Sequence, residues 1–336
     1  MTSSSHIRNL CLTTVAASVL AMPTAGFADN HIAKDGTAMM TESQAAPMIP
    51  REVLFGNPER AAGQISPDGK WLSWLAPKDG VLNIWLAPIT DPDGGKPITS
   101  ATDRPIRQHF WSPDSSGVMY IQDKGGDENF LLYKIDVASG VETTLTPFEK
   151  TRVQIVGASS TIKDKILLGL NNRDPRFHDV HLLDLTTGGL TLVLENAGYA
   201  GFMADDTLTL RMAMRQNAAG GTDYFRVVDN AVAAEPFETT AMEDSLSTAP
   251  AGYTSDGGTL YWIDSRGRNT AALIAQDTAS GEKRVIAENP KADVGGTLRD
   301  TVTGEVQAFA VNYLKNEWTA INPEIGASLD FLRSRL

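Results

Sequence analysis

Cysteine is almost missing: the 336-residue chain has one, Cys11. It stands at the front of an apolar stretch, Leu10 to Met22, which follows a weakly basic start at Arg8 and precedes the small-residue site Gly26-Phe27-Ala28. That order is the grammar of a secretory signal peptide cut before Asp29, so residues 1–28 are expected to be removed and the product to be periplasmic or secreted. Without Cys11 the mature chain has no disulfide, no thiolate nucleophile and no cysteine metal site. Long apolar runs are missing too. The Leu10 to Met22 stretch is well short of the roughly 20 residues that span a bilayer, and no later stretch approaches that length. Basic charge is scarce: 29 Lys and Arg stand against 41 Asp and Glu, a formal charge of -12. With no basic run interleaved with aromatics, nucleic acid is excluded as a partner.

The segment 29–48 has no apolar periodicity and is mostly small or polar, the composition of a disordered linker. From residue 49 to 322 short alternating strands recur between turn signals, and almost nothing reads as helix. Two stretches share one grammar, ISPDGKWLSWL from Ile65 to Leu75 and WSPDSSGVMYIQ from Trp111 to Gln122; Ser66 and Ser112 are 46 positions apart. In each turn Pro67 or Pro113 presets φ, Asp68 or Asp114 accepts from nearby backbone N–H groups, and Gly69 or Gly117 gives backbone freedom before the strand. A second motif ends a middle strand in Asp and a Gly-containing turn: KIDVASG, LLDLTTGG and AQDTASG. Strand pairs are expected at 70–75 with 83–87, 118–122 with 130–136, 165–170 with 179–185, 207–212 with 224–228, 259–263 with 271–276, and 306–311 with 317–321. One such unit per about 40 to 50 residues is the trace of β-propeller blades. A pair of β-sandwiches does not predict a constant unit of this size. The expected fold is an all-β propeller of about six recognisable blades, either a full ring or an incomplete ring of seven. Residues 323–336 then place Ile325, Leu329, Leu332 and Leu336 on one face of a short amphipathic helix.

The segment PREVLFGNPERAAGQISPDGKWLSWLAP, the strand pair YWIDSRGRNTAAL and the late stretch DTVTGEVQAFAVNYLKNEWTAINPEI together resemble the amino-terminal propeller of secreted serine peptidases of the prolyl oligopeptidase family, in its dipeptidyl or acylaminoacyl peptidase branch. The resemblance runs from Pro50 to the end. It implies a propeller that admits short peptides to an α/β-hydrolase domain carrying a Ser, Asp, His triad. The nucleophile elbow Gly-x-Ser-x-Gly of such a domain is absent from the chain: Gly157-Ala158-Ser159-Ser160-Thr161 and Gly326-Ala327-Ser328-Leu329-Asp330 lack the second glycine that lets the strand-to-helix turn close. No histidine follows Ser328. No catalytic residue is assigned, and the chain by itself is expected not to hydrolyse peptides; its partners would be peptides or a separate hydrolase domain. A self-contained propeller that scaffolds envelope proteins, as TolB-like propellers do, is the alternative. A third class, the metal-dependent lactonase type, needs Glu, Asn and Asp converging on the channel axis.

Other constellations are weaker. His178 and His181 lie near Asp179 and Asp184, but positions three apart on a strand face opposite ways, so a shared metal is not expected. Asp91 to Gly94, Asp123 to Glu128 and Asp205-Asp206 lack the ligand spacing of a calcium loop and read as turns. No metal or cofactor is expected. Arg266 and Arg268, at the end of a strand, are the candidate substrate-binding residues, because a planar guanidinium fork matches a carboxylate. An ion pair within the loop is the competing reading. Trp71, Trp74, Trp85, Trp111, Trp262 and Trp318 are expected to pack between blades.

Overall fold

The computed structural model describes residues 48–335. The expected signal peptide, the linker up to Pro47 and Leu336 lie outside the described residues. A short helix, α1 (Arg51–Phe55), leads into a chain of antiparallel meanders.

Blade one is β1 (Ala61–Ile65), β2 (Trp71–Lys78), β3 (Val81–Pro88) and β4 (Lys96–Pro97), and blade two is β5 (His109–Trp111), β6 (Gly117–Gln122), β7 (Leu131–Asp136) and β8 (Glu142–Thr144). Blade three follows with β9 (Val153–Ala158), β10 (Lys165–Asp174), β11 (Phe177–Asp184) and β12 (Leu190–Leu194). In blade four, β13 (Gly201–Ala204), β14 (Leu210–Gln216) and β15 (Thr222–Val228) are continued by two short strands on β15, namely β16 (Ala231–Val232) and β17 (Glu238–Thr240). Blade five has β18 (Ala249–Tyr253), β19 (Thr259–Asp264), β20 (Ala272–Asp277) and β21 (Lys283–Ala287). Blade six has three strands, β22 (Val294–Arg299), β23 (Val306–Asn312) and β24 (Asn316–Ala320), before α2 (Pro323–Arg333). The described residues thus form an all-β, six-bladed propeller with a short helix, α2, after blade six.

The repeated turn builds each blade by one hydrogen-bond pattern. Ser66 Oγ donates to Asp68 Oδ1 (2.6 Å) and accepts from Trp71 N (3.0 Å). Ser112 Oγ likewise donates to Asp114 Oδ1 (2.5 Å) and accepts from Gly117 N (2.9 Å). Thr254 does the same with Asp256 (2.7 Å) and Thr259 N (2.9 Å). The backbone N–H groups that enter the second strand are therefore satisfied before the ladder begins. In blade two the left-handed residue is Ser115 (φ 61), not Gly117 as the sequence suggested. Gly117 is needed for space, since a Cβ there would lie 2.6 Å from Lys134 Cε. The Asp-to-Gly turn also recurs: Gly140, Gly188 and Gly281 donate to the carbonyls of Asp136, Asp184 and Asp277 at 2.8 to 2.9 Å. Blade six uses it one hairpin earlier, with Gly304 N on Asp300 O (2.9 Å).

The first strand of each blade is innermost, because first strands of neighbouring blades meet one another. Gln64 of β1 donates to His109 O of β5 (2.6 Å), a Cβ on Gly157 of β9 would lie 3.4 Å from Ala204 Cβ of β13, and Arg299 of β22 donates to carbonyls of β18. The core is divided into layers between blades. Ile84, Ile106 and Val118 fill the space between blades one and two; Leu132, Ile166 and Leu168 lie between two and three; and Leu167, Val180 and Phe225 lie between three and four. Trp262 and Met212 join four to five, and Leu273 and Val294 join five to six. Trp71, Trp111 and Trp262 pack between blades as expected. Trp74 and Trp85 differ: they stack on each other (6.4 Å) on the face of blade one turned away from blade two. Among the described residues no strand of blade six pairs with one of blade one.

The α2 helix starts where Asn322 Oδ1 accepts from Glu324 N (2.9 Å), with Pro323 in the first turn, where its missing N–H costs nothing. None of its residues is buried, and Leu332 is exposed. Ile325 and Leu329 are half-buried.

Candidate functional site

The meander sends hairpin turns alternately to the two ends of the channel. At one end lie the turns after the first and third strands, which carry Asp68, Asp114, Asp136, Asp206, Asp256 and Asp300. Neighbouring turns are tied to each other: Asp68 N donates to Ser115 Oγ (3.1 Å), Ser160 N to Asp206 Oδ1 (2.7 Å) and Ser255 N to Thr303 O (2.9 Å). At the other end arginines meet carboxylates. Arg104 grips Asp123 through Nε (3.2 Å) and Nη2 (3.0 Å), and Arg173 grips Asp179 at 2.7 and 2.8 Å. Burial alone would raise the Asp179 carboxyl, but Arg173 and the Asn196 N–H outweigh it and hold the acid below its usual range.

Arg266 and Arg268 sit at this arginine-bearing end, in the loop between β19 and β20. Arg266 donates through Nε and Nη2 to the two oxygens of Asp264 (2.9 and 2.6 Å), and through Nη1 to Glu238 Oε1 (2.6 Å) and Thr239 O (3.2 Å). The second carboxylate comes from blade four, so the guanidinium bridges two blades; Lys283 Nζ meets the other oxygen of Glu238. Hydrogen bonding to Asp264 is the largest influence on Arg266 and fixes its charge. Arg268 has a simpler partner, Glu288, at 3.0 Å, and that glutamate is 64% exposed. An arriving carboxylate would compete with buried Asp264 and half-buried Glu238 at Arg266 but with one solvated acid at Arg268.

The remaining sequence candidates are dispersed. His178 packs over Gly169, while His181 Nδ1 contacts Asp179 O (3.1 Å). Burial lowers the His178 pKa. Among the described residues no group of three or more His, Cys, Asp or Glu is placed to hold a metal. Asp91 caps a single turn through Gly94 N, and Asp123 is committed to Arg104. Ser159 is buried and accepts from Thr161 N and Ile162 N; Ser328 is exposed on α2. Neither faces an imidazole. Among the described residues a serine that does is Ser73, whose Oγ is 2.9 Å from His109 Nε2; sequence reasoning missed it. Both are buried, at 0% and 3% exposure, and the other ring nitrogen, Nδ1, has no hydrogen-bond partner. A triad needs a carboxylate on that nitrogen and an open path to the serine.

Comparison with known proteins gives a consistent placement. No protein-family model matches the chain. Dipeptidyl aminopeptidase BIII of Pseudoxanthomonas mexicana is 49% identical over 288 residues, which is 85% of this chain and 42% of that protein. The chain thus spans less than half the length of this curated relative. Among solved structures, dipeptidyl peptidase 4 of Porphyromonas gingivalis superimposes with TM-score 0.50 at 14% identity, covering 77% of this chain and 42% of that one. An oligogalacturonate lyase in complex with manganese does so with TM-score 0.53 at 14% identity, over 74% and 69%. At such identities the structures show the fold alone. Taken with the order of motifs along the blades, the sequence match means that the chain belongs to the prolyl oligopeptidase family and that its described residues are that family's β-propeller.

Proposed function

We propose that this propeller is the substrate-gating part of a secreted serine peptidase acting on dipeptidyl substrates, and that a separate α/β-hydrolase domain performs the acyl transfer. The observation that carries this reading is the 49% identity to a dipeptidyl aminopeptidase over 288 residues, in a chain whose described residues hold no accessible serine next to an imidazole. The signal-peptide grammar of residues 1–28 supports a product that acts in the periplasm or outside the cell. No helix among the described residues is long and apolar enough to cross a membrane.

In this reading the arginine-bearing end faces the reaction chamber. Arg266 holds the loop between blades four and five, and Arg268 exchanges solvated Glu288 for a peptide carbonyl or carboxylate.

A chimera tests the gating directly. The matched part of the Pseudoxanthomonas mexicana relative is replaced by residues 49–336 of this chain. The chimera is expected to cleave chromogenic dipeptide substrates and to leave long unfolded polypeptides uncut. A chimera that labels with fluorophosphonate yet cleaves both at equal rates contradicts gating.

A further inference from the structure

At the acidic end of the channel, a cavity of about 330 Å³ opens between the inner strands of blades three to six, lined by Asp205, Asp206, Tyr253, Ser255, Arg299 and Asp300 among others. Its charges are unusual in how they are paired. Asp205 is neutralised by Arg211, whose Nε lies 2.6 Å from Oδ2. Arg299 has no carboxylate within ion-pair distance among the described residues. It donates instead to three backbone carbonyls: Nε to Gly304 O (2.8 Å), Nη1 to Ala251 O (3.2 Å) and Nη2 to Tyr253 O. Carbonyl dipoles satisfy donors but leave the unit charge in place, and a guanidinium has five N–H groups. Burial accordingly lowers the Arg299 pKa, the opposite of the carboxylate-paired Arg173 and Arg266.

The slot that holds this side chain is built from glycine. A Cβ on Gly252 (φ +118) would overlap Arg299 Nη1, and one on Gly304 (φ +71) would come within 3.0 Å of Nη2.

Among the described residues the two other acids in the cavity also lack a cation. Asp206 accepts from Ser160 N (2.7 Å), Ser160 Oγ (2.9 Å), Thr161 Oγ1 (3.3 Å) and Ser159 Oγ (3.4 Å). Asp300 accepts from Val302 N (2.9 Å), Thr303 N (2.7 Å) and Gln307 Nε2 (3.0 Å). All these donors are neutral. The backbone N–H groups of Thr303 and Val302 hold the Asp300 carboxyl below its usual range, so the cavity keeps negative charge beside a guanidinium that no carboxylate neutralises. A simple anion would meet Asp206 and Asp300, and a simple cation would meet Arg299. A ligand with both signs satisfies all three.

We propose that this cavity binds a short peptide with both termini free, its carboxylate on Arg299 and its ammonium group toward Asp206 and Asp300. The volume lies at the small end of ligand sites and suits a dipeptide. The site stands on the cavity alone, so the same ligand would bind whether or not the propeller gates a peptidase.

The test is a calorimetric and NMR titration of the full chain with Gly-Gly, N-acetyl-Gly-Gly and Gly-Gly-amide. Gly-Gly is expected to bind with Kd of about 1 mM, and each capped analogue about tenfold more weakly, through loss of one charge-assisted contact. Arg299→Ala endangers the fold, because Arg299 joins blades five and six. Val302→Trp is the safer variant: Val302 lines the same cavity and is 61% exposed. It is expected to abolish Gly-Gly binding with Tm unchanged. Equal binding of capped and free dipeptides, undiminished binding to a folded Val302→Trp protein, or no binding of Gly-Gly to the wild-type chain would each overturn the proposal.

Discussion

Ser73 Oγ and His109 Nε2 lie 2.9 Å apart, the spacing of a nucleophile and its base, yet the pair is sealed between blades one and two. Its meaning is thermodynamic. Burial is the main influence on His109 and pushes its pKa down to about 4, with the Ser73 contact opposing only in part. The folded chain therefore keeps His109 neutral at pH values where the unfolded chain protonates it near 6.5.

The sign follows from proton uptake. Above about pH 6.5 both states are neutral at this position and its contribution to stability is fully present. As pH falls from about 6.5 toward about 4, the unfolded state gains a proton that the native state refuses, and stability declines by an amount on the order of 3 kcal/mol. His178, also lowered by burial, adds to the slope with the same sign. Urea unfolding at pH 7, 6, 5 and 4.5 should show this decline, and His109→Gln should flatten it. An unchanged slope in the variant would show that His109 is not its source.

Trp262 is fully buried between blades four and five, edge-on to Tyr224 (4.9 Å), and its Nε1 donates to Gln276 Oε1 (2.9 Å). Trp262→Ala should cost about 3 to 5 kcal/mol through the cavity it leaves, and Trp262→Phe noticeably less. A cost below about 1 kcal/mol, measured by denaturant unfolding, would mean that the blades do not share this core.

Arg266 and Arg268 should separate cleanly. Arg266→Ala leaves Asp264 and Glu238, whose side chains are 10% and 17% exposed, without their shared guanidinium, and should destabilise by about 2 to 3 kcal/mol. Arg268→Ala loses a pair with a solvated glutamate and should cost less than about 1 kcal/mol. Equal costs would contradict the inter-blade role of Arg266.

The blades were legible because their second and third strands carry alternating apolar residues between turns whose Ser, Asp and Gly each have a job the backbone requires. The inner strands were not. β9 reads VQIVGA, β13 GFMA and β18 APAGY, with little alternation, because near the axis neighbouring first strands crowd together and one face looks into the channel. Gly157 beside Ala204 shows the constraint: small residues are chosen there for clearance, not for periodicity. Blade six hid its inner turn for another reason, since Asp300 to Gly304 uses the motif that elsewhere follows the third strand. At the candidate site, Asp264 beside Arg266 was visible as a sequence neighbour. Glu238 and the Ser73–His109 pair were not, because those contacts join residues 28 and 36 positions apart through the stacking of blades.

In the proposed function the propeller shapes access to a peptidase site and a separate domain carries the chemistry. Incubating the purified chain with a fluorophosphonate probe, followed by peptide mapping and by assay on chromogenic dipeptides, tests it most directly. The expected result is no labelled serine and no release of chromophore. Stoichiometric labelling of Ser73, Ser159 or Ser328, with hydrolysis that the label abolishes, would contradict it.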